Sequence, residues 1–218
     1  REFWGAGRPL YDPSLIRVID IHRGNALRHG GYLQQSRPLW GGRLRGAAGA
    51  RFDAPELYSS TIASPQASLA VRTPGDSELQ LAWGQYVQFP ELLYLTSPAG
   101  GTRLLPERAN HFTAALEKRI GGDARVRLEA WNRDDRDLLA RPLFDPRLVG
   151  ARVVVPNDPR YQNSLRGYSR GVQAMIQRRS ANRLSGWIAY TLSWARLRDD
   201  IERSHYWAQH DQRHLVNA

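Results

Sequence analysis

The chain has 218 residues, of which 41% are hydrophobic and 24% are charged, and a chain of this length and balance can bury a large core. It has no cysteine, which excludes disulfides, thiolate metal sites and cysteine nucleophiles. The formal net charge of +10 comes almost entirely from arginine, because Lys118 is the only lysine. The arginines are spread along the chain, which argues against nucleic acid as a partner.

Hydropathy excludes one kind of membrane protein and leaves another open. The mean hydropathy is −0.55, and no window approaches the length of apolar residues that a transmembrane helix needs. Barrel strands alternate apolar and polar residues, so a hydropathy window cannot detect them and does not exclude them. The first residue is Arg1, with no secretory leader before Trp4, so we expect the chain to be part of a longer protein.

Alternation of apolar and polar residues with period two recurs along the chain, and no helical period accompanies it. The alternation predicts an all-β, antiparallel up-and-down meander. We expect about nine strands, at residues 28–37, 42–53, 65–73, 78–88, 109–119, 124–134, 167–178 and 183–196, with a partial strand from residue 211.

The apolar residues of these strands are expected on one face of a single sheet, and charged residues on the other. The predicted apolar set is Leu44, Leu69, Leu81, Phe112, Leu128, Val172, Ile188 and Leu192. The predicted opposite set is Arg43, Arg45, Arg127 and Glu129.

The connections are of two alternating kinds. Tight, Gly- or Asx-containing turns are predicted at Pro38 to Gly41, Pro74 to Ser77, Ile120 to Asp123 and Arg179 to Asn182. Long loops are predicted at residues 54–64, 89–108, 134–165 and 197–211. Short turns at one end and long loops at the other are typical of an outer-membrane barrel, in which the sheet must close. A soluble sandwich or soluble barrel remains the alternative.

Several segments carry a more specific signal. They are residues 46–53, 64–70, 81–90 (LAWGQYVQFP), 105–117, 168–173, 186–193 and 211–217. Taken in this order, they resemble the β-barrel of TonB-dependent outer-membrane receptors. The resemblance implies a large barrel of about twenty-two strands around a plug, which imports a scarce ligand with energy passed on by TonB.

The resemblance also implies the organisation of this chain. Residues 1–218 would be a partial barrel domain, with an uncertain strand and loop at 1–27 and barrel hairpins at 28–218, and the sheet would not close. The location would be the bacterial cell outer membrane, with lipid around the barrel. The plug and TonB would be reached through parts of the parent protein missing here. The ligand would be a small molecule such as a siderophore, cobalamin or a saccharide.

Candidate ligand-binding residues lie on the expected inner face and in the loops. An inner wall of arginines would attract anionic ligands such as siderophores, although salt bridges to a plug or to neighbouring strands explain the same residues equally well. The candidates on the inner face are Arg43, Arg45, Arg51, Arg72 and Arg127, with Arg133 further along the same strand as Arg127. The loop candidates are the aromatic residues Tyr94, Tyr161, Tyr206 and Trp207.

Metal and catalytic sites are weakly supported. His210 and His214 have the spacing of two ligands on a helix, but in a strand that spacing is about 13 Å. Asp134, Asp135 and Asp137 could bind calcium, as could residues 199–202, but a solvated loop is the expected state. We expect no enzyme activity, no cofactor and no metal. A soluble β-rich binding module and, less favoured, a barrel enzyme with Ser, His and an acid at its rim remain alternatives.

Overall fold

The structure is a computed structural model. It describes residues 4–5, 8–9, 25–96, 100–101, 103–121, 123–140, 147–149, 152–154, 160–179, 185–201, 203–209 and 211–218. The strands are β1 (Trp4–Gly5), β2 (Arg8–Pro9), β3 (Arg28–Leu39), β4 (Leu44–Pro55), β5 (Ile62–Thr73), β6 (Ser77–Gln88), β7 (Glu107–Ile120), β8 (Ala124–Ala140), β9 (Arg147–Val149), β10 (Arg152–Val154), β11 (Gln162–Arg178), β12 (Gly186–Asp199), β13 (Ser204–Trp207) and β14 (His214–Asn217). A short helix, α1 (Leu92–Thr96), lies between β6 and β7.

Ten strands form one antiparallel sheet in the order β13-β12-β11-β8-β7-β6-β5-β4-β3, with β14 also paired to β12. The short strands β1 and β2 pair with each other, as do β9 and β10. Successive strands of the large sheet are neighbours, as hairpin connections produce. The all-β antiparallel meander predicted from the sequence is confirmed, and the sheet does not close on itself within the described residues.

The tight turns have the backbone that hairpins require. Between β5 and β6, Gly75 and Asp76 have φ values of 78° and 55°, the left-handed pair that matches the twist of the flanking strands. The β3–β4 connection is instead a 3-10 turn at Trp40–Gly42. The turn predicted at Arg179 to Asn182 falls largely outside the described residues.

The strand register sorts the side chains into two faces. Leu69 lies opposite Leu81, Leu81 opposite Ala114, and Leu128 opposite Ala174. Cross-strand partners share a face, so the whole predicted apolar set lies on one side, called here the apolar face. Arg45, Arg127 and Glu129 lie on the other, the polar face. Arg43 does not, because its helical φ of −69° and ψ of −31° place it in the turn before β4 begins.

The apolar face has no second layer of protein over it in the described part of the chain. Phe112, Leu128 and Val172 are 47%, 51% and 49% exposed, whereas a sandwich core would bury them. The buried hydrophobic residues are small or lie in the loops: Leu95, Leu104, Ala109, Ala115 and Ala189. No helix in the described ranges is long and apolar enough to cross a membrane.

The strands run further into the predicted loops than the alternation indicates. β8 continues to Ala140 and β11 starts at Gln162, so Asp134, Asp135 and Asp137 lie in a strand and the loop prediction for them is wrong. Alternation stops there because residues 133–137 are polar on both faces and residues 138–140 are apolar on both, while backbone pairing continues with register shifts between Gln162 and Gly167.

The last strand also differs from its prediction. In place of one strand from residue 211, β13 and β14 pair with the two halves of β12. Between them the Asp211 side chain supplies the missing acceptor, since its Oδ1 accepts the Ala195 N–H at 2.7 Å.

Expressed by itself, residues 1–218 should aggregate in buffer and gain order only with detergent. The sheet ends at β3 on one side and at β13 and β14 on the other, and open edges beside an exposed apolar face promote association. Size-exclusion chromatography and circular dichroism, each with and without detergent, measure this. A monomer that melts cooperatively in plain buffer, with no change on adding detergent, would contradict it.

Candidate functional site

The polar face is held together by charged and amide side chains that reach across several strands. Arg127 is the centre: its Nη2 donates to Glu129 at 2.7 Å and its Nη1 to Gln80 at 2.9 Å. Glu117 lies 3.7 Å from Arg127 and 3.6 Å from Arg125. We call this network the ladder; each of its members sits in the half of its strand that adjoins the tight turns.

The ladder extends to both sides of its centre. Arg125 donates to Gln177 on β11 at 2.7 Å, and Gln80 donates to Glu78 at 2.7 Å. Glu78 in turn lies 3.7 Å from Arg72 on β5. Arginine guanidiniums suit such networks because they present several donors in a fixed plane. The ladder therefore ties β5, β6, β7, β8 and β11 together at the turn end of the sheet.

A second group lies at the opposite end, where the long loops begin. Arg51 donates two hydrogen bonds to Asp53, at 2.7 and 2.8 Å, and Arg28 lies 3.8 Å from the same carboxylate. Asp53 is 5% exposed, so two guanidiniums stabilise the charge of a buried acid. The Arg28 guanidinium also lies 5.3 Å from the centre of the Phe89 ring.

A concavity opens at this loop end, between β6, β7 and β8. It has a volume of about 360 Å³ and is lined by Tyr86, Val87, Gln88, Glu107, Arg108, Ala109, His111, Arg133, Asp135 and Leu138. The Arg133 Nε donates to Asp135 at 2.8 Å, and the Tyr86 and His111 rings are 6.3 Å apart. The cleft thus offers cationic, acidic and aromatic groups on one wall.

The loops above the cleft pack on one another. The Tyr58 hydroxyl donates to the Leu104 carbonyl at 2.9 Å, and burial raises the pKa of this phenol. Asn163 fastens two segments, because its amide bonds the Leu105 backbone at 2.7 and 2.9 Å and the Asp137 carbonyl at 2.6 Å. These contacts give the loop end a fixed shape.

The structure divides the residues predicted from the sequence between the two ends. Arg45, Arg72 and Arg127 lie in the turn half of the polar face, and Arg51 in the loop half. Arg43 lies in a turn, where its carbonyl accepts the Arg72 N–H at 2.8 Å. Arg51, Arg72 and Arg127 have partners within the sheet, which favours the salt-bridge interpretation for these three.

The aromatic candidates are similarly divided. Tyr94 and Tyr161 come together, with ring centres 4.6 Å apart. Tyr206 lies opposite Leu197 on the polar face, whereas Trp207 lies opposite Arg196 on the apolar face. Whether any of the predicted residues binds ligand stays a prediction.

Of the metal candidates, His210 and Glu202 fall outside the described residues. His214 lies on the apolar face, and its Nδ1 is 2.8 Å from the Tyr190 hydroxyl. Asp134 accepts from Asn132 at 2.7 Å and lies 3.4 Å from Arg170. The described residues contain no group of three side chains that could hold a metal ion.

Sequence reasoning missed Tyr86, Glu107 and His111 of the cleft. The alternation gives part of the answer, because it places Tyr86 and His111 on the polar faces of their strands. What brings them together is the β6–β7 register, which pairs Gly84 with His111. The loop between those strands is too long to fix that register from the sequence.

Comparison with known proteins decides the family. A model described as TonB dependent receptor-like, beta-barrel, matches residues 6–217. The chain belongs to this family. Its members are bacterial outer-membrane proteins, so the apolar face contacts lipid and the polar face is the inner wall. No curated protein matches the sequence.

Solved transporters have a similar fold. The outer membrane transporter YddB from Escherichia coli gives a TM-score of 0.59 at 13% identity over 78% of this chain and 25% of that one. The FrpB iron transporter from Neisseria meningitidis gives 0.60 at 15% identity over 79% and 26%. The copper transporter OprC gives 0.60 at 12% identity over 82% and 29%. The chain thus spans between a quarter and a third of the length of these proteins.

One packing contact on the inner wall is open to test. The Trp131 indole lies against Gly171, so a Cβ at residue 171 would collide with the indole and lie 2.8 Å from the Leu192 carbonyl oxygen. In the intact protein that carries this chain, Gly171→Ala should lower the free energy of unfolding by about 1–3 kcal/mol. Urea unfolding in detergent, followed by fluorescence, measures it.

Two further variants show whether the indole causes the loss. Gly46→Ala should cost far less, because nothing lies within 4 Å of a Cβ there. The cost of Gly171→Ala should shrink but persist in a Trp131→Ala background, since the carbonyl remains. Equal losses at residues 46 and 171 would show that the contact is not as described.

Proposed function

We propose that this chain forms part of the barrel wall of a TonB-dependent outer-membrane transporter that imports a scarce ligand such as a siderophore, cobalamin or a saccharide. The plug and the segment that contacts TonB belong to parts of the protein outside this chain. The observation that carries the proposal is the separation, in the middle of the strands from β3 to β12, of an exposed apolar face from a polar face that holds the ladder.

The orientation of the wall follows from its connections. Outer-membrane barrels have short turns on the periplasmic side and long loops outside, so the cleft and the packed loops face the exterior. A ligand arriving from outside meets the cleft first and the ladder later. The ladder, whose arginines are already paired, braces the wall near the plug.

The chemistry of the cleft supports a polar ligand that carries anionic or metal-bound groups. Arg133 keeps donors beyond the one it gives to Asp135, and the Tyr86 and His111 rings supply flat surfaces on which a ligand ring can pack. FrpB is an iron transporter and OprC a copper transporter, which supports a metal-bearing ligand. Tyr94 and Tyr161 complete the proposed contacts at this end.

The alternatives are less well supported. A soluble binding module would have to cover the apolar face, and Phe112 and Leu128 are about half exposed, at 47% and 51%. A barrel enzyme needs a nucleophile beside its base; the Thr113 hydroxyl lies at a loose 3.4 Å from the His111 Nε2. Transport is therefore the function that the wall supports best.

Ligand binding tests the proposal. The intact protein, purified in detergent, would be titrated with a ferric catecholate, a ferric hydroxamate, cyanocobalamin and maltoheptaose, with fluorescence quenching as the readout. At least one should bind, and the double variant His111→Ala with Arg133→Ala should weaken that binding about tenfold or more, because a charge-assisted hydrogen bond contributes about 1.5–3 kcal/mol.

The matched control is Arg119→Ala, which removes a polar-face arginine at the turn end and should change the affinity less than about twofold. Unchanged affinity in the double variant would remove the cleft from the proposal. Binding of none of the four probes would argue against import of those ligand classes.

A further inference from the structure

A cluster of arginines continues the apolar face beyond its loop end. The outer arginine patch, as we call it, consists of Arg166, Arg170, Arg196, Arg198 and Arg213. The register sets Arg166 opposite Arg198, Tyr168 opposite Arg196, and Arg170 opposite Trp194. On the next strand Trp207 lies opposite Arg196. Four of the arginines therefore lie on the adjacent strands β11 and β12, which are about 5 Å apart, in rows about 7 Å apart. Arg213 precedes β14 and joins them through Trp207.

Aromatic rings fix the guanidiniums of this patch. Trp207 lies between two of them, with Arg196 at 4.1 Å and Arg213 at 4.4 Å from its ring centre. Arg170 lies 4.5 Å from the Tyr168 ring centre. A guanidinium stacked by its face keeps its N–H edge available, and that edge matches the oxygens of a phosphate.

Among the described residues, the neighbouring acids do not balance the charge of the patch. Asp200 lies 2.7 Å from Arg166 and 3.0 Å from Arg198, and Asp134 and Asp211 lie 3.4 and 3.2 Å from Arg170 and Arg213. Within the described ranges, five arginines thus face three carboxylates. Arg196 is exposed, and the one contact found for its guanidinium among the described residues is with the Trp207 ring.

The position of the patch identifies the layer it touches. Along β12 the side chains of the apolar face are Ile188, Tyr190, Leu192 and Trp194, and then Arg196 and Arg198. The apolar residues contact hydrocarbon, and tryptophan marks the interface. The arginines that follow lie one and two rows further out, on the extracellular side, at the depth of the outer-leaflet headgroups.

We propose that the outer arginine patch binds the phosphorylated headgroup of an outer-leaflet glycolipid. The inference rests on the proposed orientation in the membrane, and it concerns the outside of the wall rather than the ligand inside. Neighbouring guanidiniums on adjacent strands can share one phosphate, as charge-assisted hydrogen bonds favour.

The test uses the intact protein in phosphatidylcholine nanodiscs titrated with bisphosphorylated lipid A or its dephosphorylated form. The wild type should bind the phosphorylated form about tenfold or more tightly. The triple variant Arg166→Gln, Arg196→Gln, Arg198→Gln should lose that preference, and Arg196→Lys, which keeps the charge but not the stacking, should lose part of it. No preference in the wild type, or an undiminished one in the triple variant, would overturn the proposal.

The matched control is Arg37→Gln, Lys118→Gln, Arg178→Gln. These three exposed cations lie on the same face at the turn end, on separate strands, and their loss should lower the affinity less than about threefold. A loss as large as that of the triple variant would show that total charge, not the patch, binds the lipid. Suppression of the preference by free inorganic phosphate would assign the patch to soluble anions and overturn the lipid proposal.

The two proposals fail differently. Protein that does not enter plain phosphatidylcholine membranes at all would contradict the outer-membrane orientation and this inference with it. Protein that enters them and imports ligand, but shows no preference for the phosphorylated lipid, would overturn only the inference.

Discussion

A backbone that crosses hydrocarbon cannot leave its N–H and C=O groups without partners, and the rest of this structure follows from that constraint. Neighbouring strands must be in continuous register, and continuous register sends every second side chain to the same face. From β3 to β12, the apolar residues predicted for one face stay on that face in every strand, because each pair of strands keeps a constant register in this part of the sheet. The separation into a lipid face and an inner face is thus a consequence of backbone pairing.

Departures from regular pairing occur where the constraint relaxes. The register shifts between β8 and β11 fall at residues 162–167, at the loop end, where water can satisfy backbone groups. The break between β13 and β14 lies level with Trp194 and Ala195, nearer the interface. There side chains replace backbone partners: Asp211 accepts the Ala195 N–H at 2.7 Å, and Ser193 donates to the Gln212 carbonyl at 3.0 Å.

Sequence alternation predicts the parts of this fold where only one face is apolar. β4, β5 and β6 are found within three residues of their predicted ends. The outer thirds of β8 and β11 are not predicted, because consecutive residues of like polarity, such as the polar run 133–137 and the apolar run 138–140, erase the period-two signal. The cleft is harder still to predict from the sequence, since it depends on the pairing of β6 with β7 across a long loop. Part of the ladder could be predicted, because alternation places Arg72, Arg127 and Glu129 on the inner face.

One local pattern makes use of arginine where lysine would not serve. Residues two apart on a strand point to the same side, and three arginines within strands bond a carboxylate two positions away: Arg51 with Asp53, Arg127 with Glu129 and Arg133 with Asp135. Two more pairs with the same spacing lie at strand ends: Arg198 with Asp200 and Arg213 with Asp211. A planar guanidinium can bond that carboxylate with one edge and still present a second edge or its face to a neighbour. Arg127 bonds Gln80 and Arg213 stacks on Trp207 in this way. A lysine, with one compact charge, could hold its own carboxylate but could not also join the next strand through a rigid plane.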